Sequence, residues 1–336
     1  MMSGSVESNP MRRKAVFQLM LATAAWGISF PLFKMLFDVQ KAHVPGVDTF
    51  FLAAHAIGTR AVGAAAFFLI LRPRLLSGLT RKEWRQGLLL GFFGGSGLIF
   101  QADGMNYTSA SVSAFLTQFY CVLLPLWVCL RRREWLSPRL LIATLLVVGG
   151  VSILSGLVKV ENGTLEVQEF HLGRGELETL ISACFFTVQI LLLERPAWKA
   201  NRMIPVSVLM FFGFAACAFP VVILTKPSWS AVTGVYQNDQ DFLIIGAVIL
   251  FCTVYAYTAM NRWQPHVSAT EGGLIYCLEP VFTAIYTLFL PGWLAVWTGV
   301  PYANEVLTVT TLAGGGLITV ANIILQLPQR RAKAKP

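Results

Sequence analysis

Long apolar stretches, separated by short polar connections, run along almost the whole 336-residue chain. Because a helix needs about 20 residues to cross the hydrocarbon core of a bilayer, each such stretch predicts a transmembrane helix. An unpaired backbone amide in lipid costs several kcal/mol, so the segments must be helical. The pattern predicts ten spans, over residues 15–36, 49–71, 86–107, 108–130, 139–157, 175–194, 204–225, 241–262, 267–289 and 307–327.

One part of the chain occurs twice, 155 positions apart. Residues 105–114 resemble residues 260–269, and the same offset pairs Pro125 with Pro280. Each copy holds an odd number of predicted spans, so the second copy enters the membrane from the opposite side. We therefore expect two inverted five-helix repeats, an arrangement that lets a protein face either side of the membrane around a shared site.

The composition agrees with this pattern, since 55% of the residues are hydrophobic and 13% are charged. So little polar surface excludes a water-soluble domain. We expect an all-α membrane protein with ten transmembrane helices as two inverted five-helix repeats. The predicted parts are a cytoplasmic tail (1–14), a first repeat (15–157), an extracytoplasmic linker (158–174), a second repeat (175–327) with an insertion near 291–303, and a basic cytoplasmic tail (328–336).

Basic residues are distributed unequally between the two sides of the predicted spans. Twenty of the 26 Lys and Arg residues fall on the side that carries the N-terminus. By the positive-inside rule, both termini are cytoplasmic, in a multi-pass protein of the plasma (inner) membrane. Topology thus accounts for the net charge of +9, and no nucleic-acid partner is predicted.

Several short motifs recur in order along the chain. They are Trp26-Gly27-Ile28-Ser29-Phe30, Lys34, Thr59-Arg60, Tyr107-Thr108-Ser109-Ala110-Ser111, Pro125, Glu134-Trp135-Leu136-Ser137, Ser268-Ala269-Thr270, Leu278-Glu279-Pro280 and Glu305-Val306-Leu307-Thr308. These motifs resemble the EamA-type repeat of the drug/metabolite transporter superfamily, and this resemblance implies a ten-helix inverted-repeat carrier of small metabolites. Two regions depart from the pattern: the aromatic-rich insertion, which we expect to lie at the outer interface, and Phe185-Phe186-Thr187, where a Trp-Gly pair is expected.

Two charged residues lie at membrane depth, Arg60 in the second predicted span and Glu279 in the ninth. An ionised side chain there costs at least a few kcal/mol unless it is paired or hydrated. Arg60 fits an anionic substrate partner or a structural role, and we prefer the structural role slightly because the residue type appears across a family with diverse substrates. Glu279 fits a cation, an amine or a coupling proton as well as it fits a structural pair.

Aromatic and amide side chains complete the predicted site. Helical spacing places Gly272, either Ile275 or Tyr276, and Glu279 on one face of the ninth span. The equivalent face of the fourth span carries Thr117, either Tyr120 or Cys121, and Leu124. We expect a cavity between these faces, lined by aromatic and hydroxyl groups and with its acid on one side only. The predicted substrate-binding residues are Trp26, Arg60, Gln101, Gln118, Tyr120, Tyr255, Tyr276 and Glu279, and neither a cofactor nor a metal is predicted.

These features favour a secondary transporter rather than an enzyme. The expected cargo is a small organic metabolite, such as an amino acid or a drug-like amphipathic solute, moved by export or exchange through alternating access. A coupling proton and a homodimer are compatible with the pattern. A membrane-embedded enzyme acting on a lipid-linked substrate would need a metal cluster or a nucleophile with a base, but the four histidines are scattered. A non-transporting sensor would normally carry a signalling domain.

Overall fold

The computed structural model describes residues 10–133, 137–154, 158–161, 164–167, 172–193, 195–198, 200–263, 266–267 and 275–326. Several predictions fall outside these residues. They concern the ends of the two tails, most of the 134–137 motif, the 268–270 motif and Gly272.

The helices follow the apolar stretches. The first half contains α1 (Pro10–His43), α2 (Thr49–Leu71), α3 (Arg81–Gly104), α4 (Ala110–Thr117), α5 (Tyr120–Arg132) and α6 (Pro138–Leu154). An antiparallel hairpin of β1 (Val158–Glu161) and β2 (Thr164–Val167) follows, in the predicted linker. The second half contains α7 (Arg174–Leu193), a 3₁₀ turn (Pro196–Trp198), α8 (Met203–Thr225), α9 (Trp229–Gly234), α10 (Asp239–Ala247), a π-helical segment (Val248–Tyr255), α11 (Ala256–Trp263), α12 (Glu279–Thr287), α13 (Leu290–Thr298) and α14 (Val309–Gln326).

Six helical stretches among the described residues are long and apolar enough to cross a membrane unaided. The pair α12 and α13, bent by 53° at its junction, is a seventh if it is counted as one span. The prediction of a helical, multi-pass membrane protein is therefore confirmed. The six stretches are Pro10–His43, Thr49–Leu71, Ala110–Arg131, Arg174–Leu192, Met203–Thr225 and Asp239–Met260.

Most of the predicted insertion at 291–303 is helical and belongs to α13. Leu294 of this helix is buried in the main core, whereas Trp293 on the opposite side is 69% exposed. One side of α13 thus packs against the bundle, in contact with α1. The insertion is largely an apolar helical continuation of α12, bent away from it.

Glycines let several helices touch through their backbones. A Cβ atom added to Gly91 of α3 would lie 2.5 Å from the Cα atom of Gly213 of α8. In the same way, a Cβ atom on Gly150 of α6 would lie 2.6 Å from the carbonyl oxygen of Gly314 of α14. Small residues at helix contacts are a general device in membranes. These two contacts hold α3 against α8 and α6 against α14.

The loops lie at two ends of the helix bundle. We call one the arginine-rich end, because it carries Arg72, Arg202 and Arg262 at the ends of α2, α8 and α11. We call the other the Glu305 end, after the residue that joins the loop following α13 to the start of α4. The two ends differ in charge and in packing.

Candidate functional site

Two central helices are interrupted at similar positions of the two halves. α4 ends at Thr117 and α5 begins at Tyr120, with a tightened turn in which Gln118 N donates to the carbonyl of Phe115 at 3.1 Å. In the second half, α12 begins at Glu279 after a similar turn. Interrupted helices at membrane depth are typical of transporter binding sites.

The interruption before α12 has a direct chemical cause. Pro280 has no N–H group, so it cannot donate to the carbonyl of Tyr276 one turn earlier. Leu278 N instead donates to the carbonyl of Ile275 at 3.0 Å, which is a 3₁₀ spacing. Glu279 therefore becomes the first residue of a new helix rather than a residue in mid-helix.

Three aromatic side chains meet beside this interruption. The ring of Trp26 in α1 lies 5.6 Å from the ring of Tyr257 and 5.7 Å from the ring of Tyr276, measured between centroids. α1 approaches α12 closely here because residue 27 is glycine, and the Thr283 hydroxyl donates to the Gly27 carbonyl at 3.1 Å. The indole N–H of Trp26 is buried without a hydrogen-bond partner among the described residues.

Arg60 is 3% exposed and is held by the π-helical segment. Its Nε donates to the hydroxyl of Thr253, and its Nη2 donates to the carbonyl of Cys252 at 3.1 Å. The widened turns of a π-helix leave carbonyl groups available to such partners. These contacts fit the structural role that the sequence slightly favours for Arg60.

The Glu279 carboxyl lies within electrostatic range of several groups from both halves. They include the Arg60 guanidinium, the hydroxyls of Tyr120 and Tyr257, and the thiol of Cys121. Cys121 in turn contacts the thiol of Cys277. A partly buried acid thus sits among aromatic rings, hydroxyls and thiols, with one guanidinium nearby.

The structure brings together five of the eight predicted substrate-binding residues, which come from α1, α2, α5 and the turn before α12. Gln118 lies at the first interruption, fully buried, and its Nε2 has no partner in the described part of the chain. Gln101 instead donates to the Thr117 hydroxyl at 2.8 Å, and Tyr255 donates to Gln18 at 3.1 Å. The five residues are Trp26, Arg60, Tyr120, Tyr276 and Glu279.

Tyr257 contacts Trp26 and lies near Glu279, but it is not among the substrate-binding residues predicted from the sequence. The predicted residue of this segment is Tyr255, which the 155-residue offset aligns with Phe100. The π-helical segment ends at Tyr255 and changes the rotation per residue. A period of 3.6 residues therefore no longer identifies the face of α11 that meets the site.

Polar contacts within the first half and between the two halves close the Glu305 end. Lys34 Nζ donates to the carbonyls of Met105 and Thr108 at the end of α3. Glu305 Oε1 accepts from the amide of Ala110 at 2.9 Å, so a carboxylate of the second half caps the N-terminus of α4 in the first. The Ser111 and Thr287 hydroxyls, 3.0 Å apart, add another contact between the halves.

A second group of charges at this end centres on Arg174, the first residue of α7. Its Nη2 donates to Asp103 Oδ2 at 2.6 Å and its Nε donates to Glu178 Oε1 at 2.8 Å. Asp103 is fully buried, so Arg174 supplies the charge that makes its burial tolerable. The guanidinium also lies 4.2 Å from the ring centroid of Tyr107.

A cavity of about 540 Å³ opens at the arginine-rich end, between α2, α8 and α11. Phe211 and Tyr257 line it, together with Arg72 and Arg262. None of the eight predicted substrate-binding residues lines this cavity. In the described ranges, no group of three or more His, Cys, Asp or Glu side chains is arranged to hold a metal ion.

Comparison with known proteins finds similarity to transporters. Residues 13–156 match the EamA-like transporter family. An uncharacterized transporter of Archaeoglobus fulgidus is 24% identical over 310 residues, which cover 92% of this chain and 84% of that protein. A solved crystal structure of a protein aligns at 16% identity and a TM-score of 0.48, over 90% of this chain and 95% of its own. The predicted resemblance to the EamA-type transporters of the drug/metabolite transporter superfamily is therefore confirmed, with an EamA-like domain at residues 13–156.

Proposed function

We propose that this chain is a secondary carrier that moves a small organic solute by alternating access, with ten spans in two inverted five-helix repeats. The first repeat comprises α1, α2, α3, α4–α5 and α6. The second comprises α7, α8, α10–α11, α12–α13 and α14. Two such repeats can exchange conformations, which opens a shared site to one side and then to the other.

The pattern of helix packing supports the inverted arrangement. A twofold axis that exchanges the two repeats would exchange α2 with α8, α6 with α14 and α4 with α12, so these counterparts can meet at the axis. All three pairs are in contact, and the first two contacts are extensive. The same axis would turn the contact between α3 and α7 into the contact between α11 and α1, and both of these contacts occur.

The observation that carries the proposal is that both halves supply the cluster at the two helix interruptions. Trp26 and Tyr120 come from the first half, whereas Tyr257, Tyr276 and Glu279 come from the second. A substrate bound there would contact both repeats, so their relative movement would change its access. Aromatic rings bind an apolar body or a cation, and the carboxyl suits an amino group. We infer an amine-bearing solute, such as an amino acid or an amphipathic drug-like cation.

The arginine-rich end is assigned to the cytoplasm, because basic loops are retained on that side. Both termini are then cytoplasmic, in the plasma (inner) membrane. In this orientation the Glu305 end is the outer end. The contacts made by Lys34, Glu305 and Arg174 would close it in the state described here, and they would have to break for the site to open outward.

Transport in proteoliposomes tests the proposal. Purified protein is assayed with pooled labelled amino acids and organic amines under an imposed pH gradient. We expect saturable flux, reduced about tenfold or more by Glu279→Gln, with a flatter dependence on pH if the carboxyl carries the coupling proton. Asp239→Asn is the matched control, because it removes one exposed carboxyl at the start of α10.

Two outcomes would count against the proposal. Full flux in the Glu279→Gln variant would show that the Glu279 carboxyl is not part of the substrate site. Equal losses in Glu279→Gln and Asp239→Asn would show that the effect is a general loss of charge. Thermal unfolding of each variant verifies that any loss of flux is not a loss of fold.

A further inference from the structure

The cavity at the arginine-rich end has an apolar interior and a positively charged rim. Phe68 and Phe211 contribute to its walls, and Phe211 is fully buried. Arg72 and Arg262 line it and are themselves exposed. A volume of about 540 Å³ lies within the range of cavities that hold a small organic ligand.

The charge at this rim is not neutralised by the described residues. Arg174 and Arg202 have carboxylate partners at 2.6–2.8 Å. For Arg72 and Arg262, by contrast, the described part of the chain offers no carboxylate within 4.0 Å. Arg262 instead lies 5.2 Å from the ring centroid of its neighbour Trp263. Two guanidinium groups are therefore available to an anion.

The start of α8 adds to the positive potential of the cavity. Met203 and Ile204, the first two residues of this 23-residue helix, line the cavity. Their amide groups have no carbonyl partner within the helix, and the N-cap residue Arg202 provides no side-chain cap. The positive end of the helix dipole thus lies beside the two arginines.

The apolar wall continues onto the outer surface of the bundle. Leu71 is 64% exposed and Ile204 is 39% exposed, and both line the cavity. Side chains this apolar at the side of a membrane helix face lipid chains. The cavity is therefore accessible from the bilayer, and an acyl chain could extend along its wall while a headgroup reaches the arginines.

We propose that this cavity binds an anionic phospholipid from the leaflet at the arginine-rich end. The two arginines and the start of α8 hold the phosphate, and the aromatic wall holds the upper part of an acyl chain. A soluble phosphate would not need the apolar wall, and a neutral lipid would not need two unpaired guanidinium groups. The occupant touches Tyr257, which also contacts Trp26, so it is in position to influence the candidate transport site.

The test measures binding of phosphatidylglycerol to the purified full chain, by native mass spectrometry and by thermal unfolding in phosphatidylcholine with increasing phosphatidylglycerol. We expect phosphatidylglycerol to bind and to raise the unfolding temperature. The double variant Arg72→Gln/Arg262→Gln should bind about thirty-fold more weakly. Arg81→Gln/Arg85→Gln, which removes two exposed arginines of the same end outside the cavity, is the matched control and should change affinity less than about threefold.

A second variant separates the cavity from the surface. Thr258 lines the cavity, and Thr258→Trp fills it without changing any charge, so this variant should also lose the phosphatidylglycerol effect. If the double arginine variant does not fold in phosphatidylcholine alone, the result for Thr258→Trp decides the test.

Equal losses of phosphatidylglycerol binding in the cavity variant and the control arginine variant would overturn the proposal, as would full binding of phosphatidylglycerol by Thr258→Trp. Glycerol phosphate that stabilises the protein as well as phosphatidylglycerol does would show that a soluble anion is the ligand. Binding is measured without transport, so failure here leaves the carrier proposal untouched.

Discussion

The two ends of the helix bundle are held together in different ways. At the Glu305 end, Lys34, Glu305 and Arg174 each make contacts that join separate helices. At the arginine-rich end, Glu83 and Arg202 form an ion pair that joins the start of α3 to the start of α8, beside an open cavity. Among the described residues, the Glu305 end therefore has more charged contacts between helices than the arginine-rich end.

Among changes at the two ends, the largest loss of stability is expected from Arg174→Leu at the Glu305 end. The change leaves the fully buried Asp103 and the nearly buried Glu178 without their cation. Breaking a buried pair by removing one partner is strongly destabilising, and since Arg174 is half exposed we expect a loss of about 3 kcal/mol. Thermal or denaturant unfolding in detergent measures it.

Arg81→Leu is the matched control for this change. Arg81 is also the first residue of a helix and has no ion-pair partner among the described residues. Its replacement should cost little. An equal loss of stability in the two variants would mean that the charge network does not hold the Glu305 end together.

A smaller effect is expected from Glu305→Ala. The change removes the carboxylate that accepts from the amides of Ala110 and Ser111, whereas the N-cap bond from Val112 N to the Ser109 hydroxyl remains. These two amides should therefore exchange hydrogen about fivefold faster, which corresponds to about 1 kcal/mol. Hydrogen–deuterium exchange of the peptide that begins at Ala110 measures this. Glu176→Ala is the control, because within the described ranges Glu176 accepts from the Thr108 hydroxyl and not from an amide of α4. Unchanged exchange in Glu305→Ala would show that the cap does not hold this end closed.

The smallest loss of stability is expected at the arginine-rich end, from Glu83→Gln. Hydrogen bonds from Arg202 lower the pKa of Glu83 from about 4.5 to about 2. Because the pKa is lower in the folded state, the stabilisation is present above about pH 4.5 and is lost as the pH falls toward 2. Glutamine can keep the capping-box hydrogen bond with Thr80 but loses the charge.

We therefore expect Glu83→Gln to unfold about 2 °C or less below the original protein at pH 6, since Arg202 is half exposed. The difference should shrink as the pH is lowered from 5 to 3. Unfolding temperatures of both proteins across this range measure it. A difference that stays constant with pH would show that the ion pair does not stabilise this end.

Most helix positions could be predicted from apolar patterning. α2 spans the predicted residues 49–71, and α7 and α8 begin within one residue of their predicted starts. Burial in lipid demands long apolar runs, so the run itself marks the helix. The bend between α12 and α13 was not predicted, although Pro291 marks its position, because this residue cannot donate to the Thr287 carbonyl one turn earlier. That carbonyl accepts from Glu305 N instead, a contact that apolar patterning does not show.

The site was predicted in part, because sequence spacing assumes regular helices. Arg60 and Glu279 were identified by the cost of charge in lipid, a property of residue type and position alone. Tyr257 was missed and Gln101 was included, because the π-helical segment and the pairing of Gln101 with Thr117 depend on neighbouring helices.

The sequence by itself determined that this chain is a helical membrane protein, that residues 105–114 resemble residues 260–269, and that its basic residues are unequally distributed among its loops. Each of these follows from local composition or from repetition. Only the tertiary structure decided that Glu305 caps α4, that Arg60 is held by Cys252 and Thr253, and that a charged cavity opens between α2, α8 and α11. Such contacts join residues far apart in the chain, so they arise from packing, which local patterns do not encode.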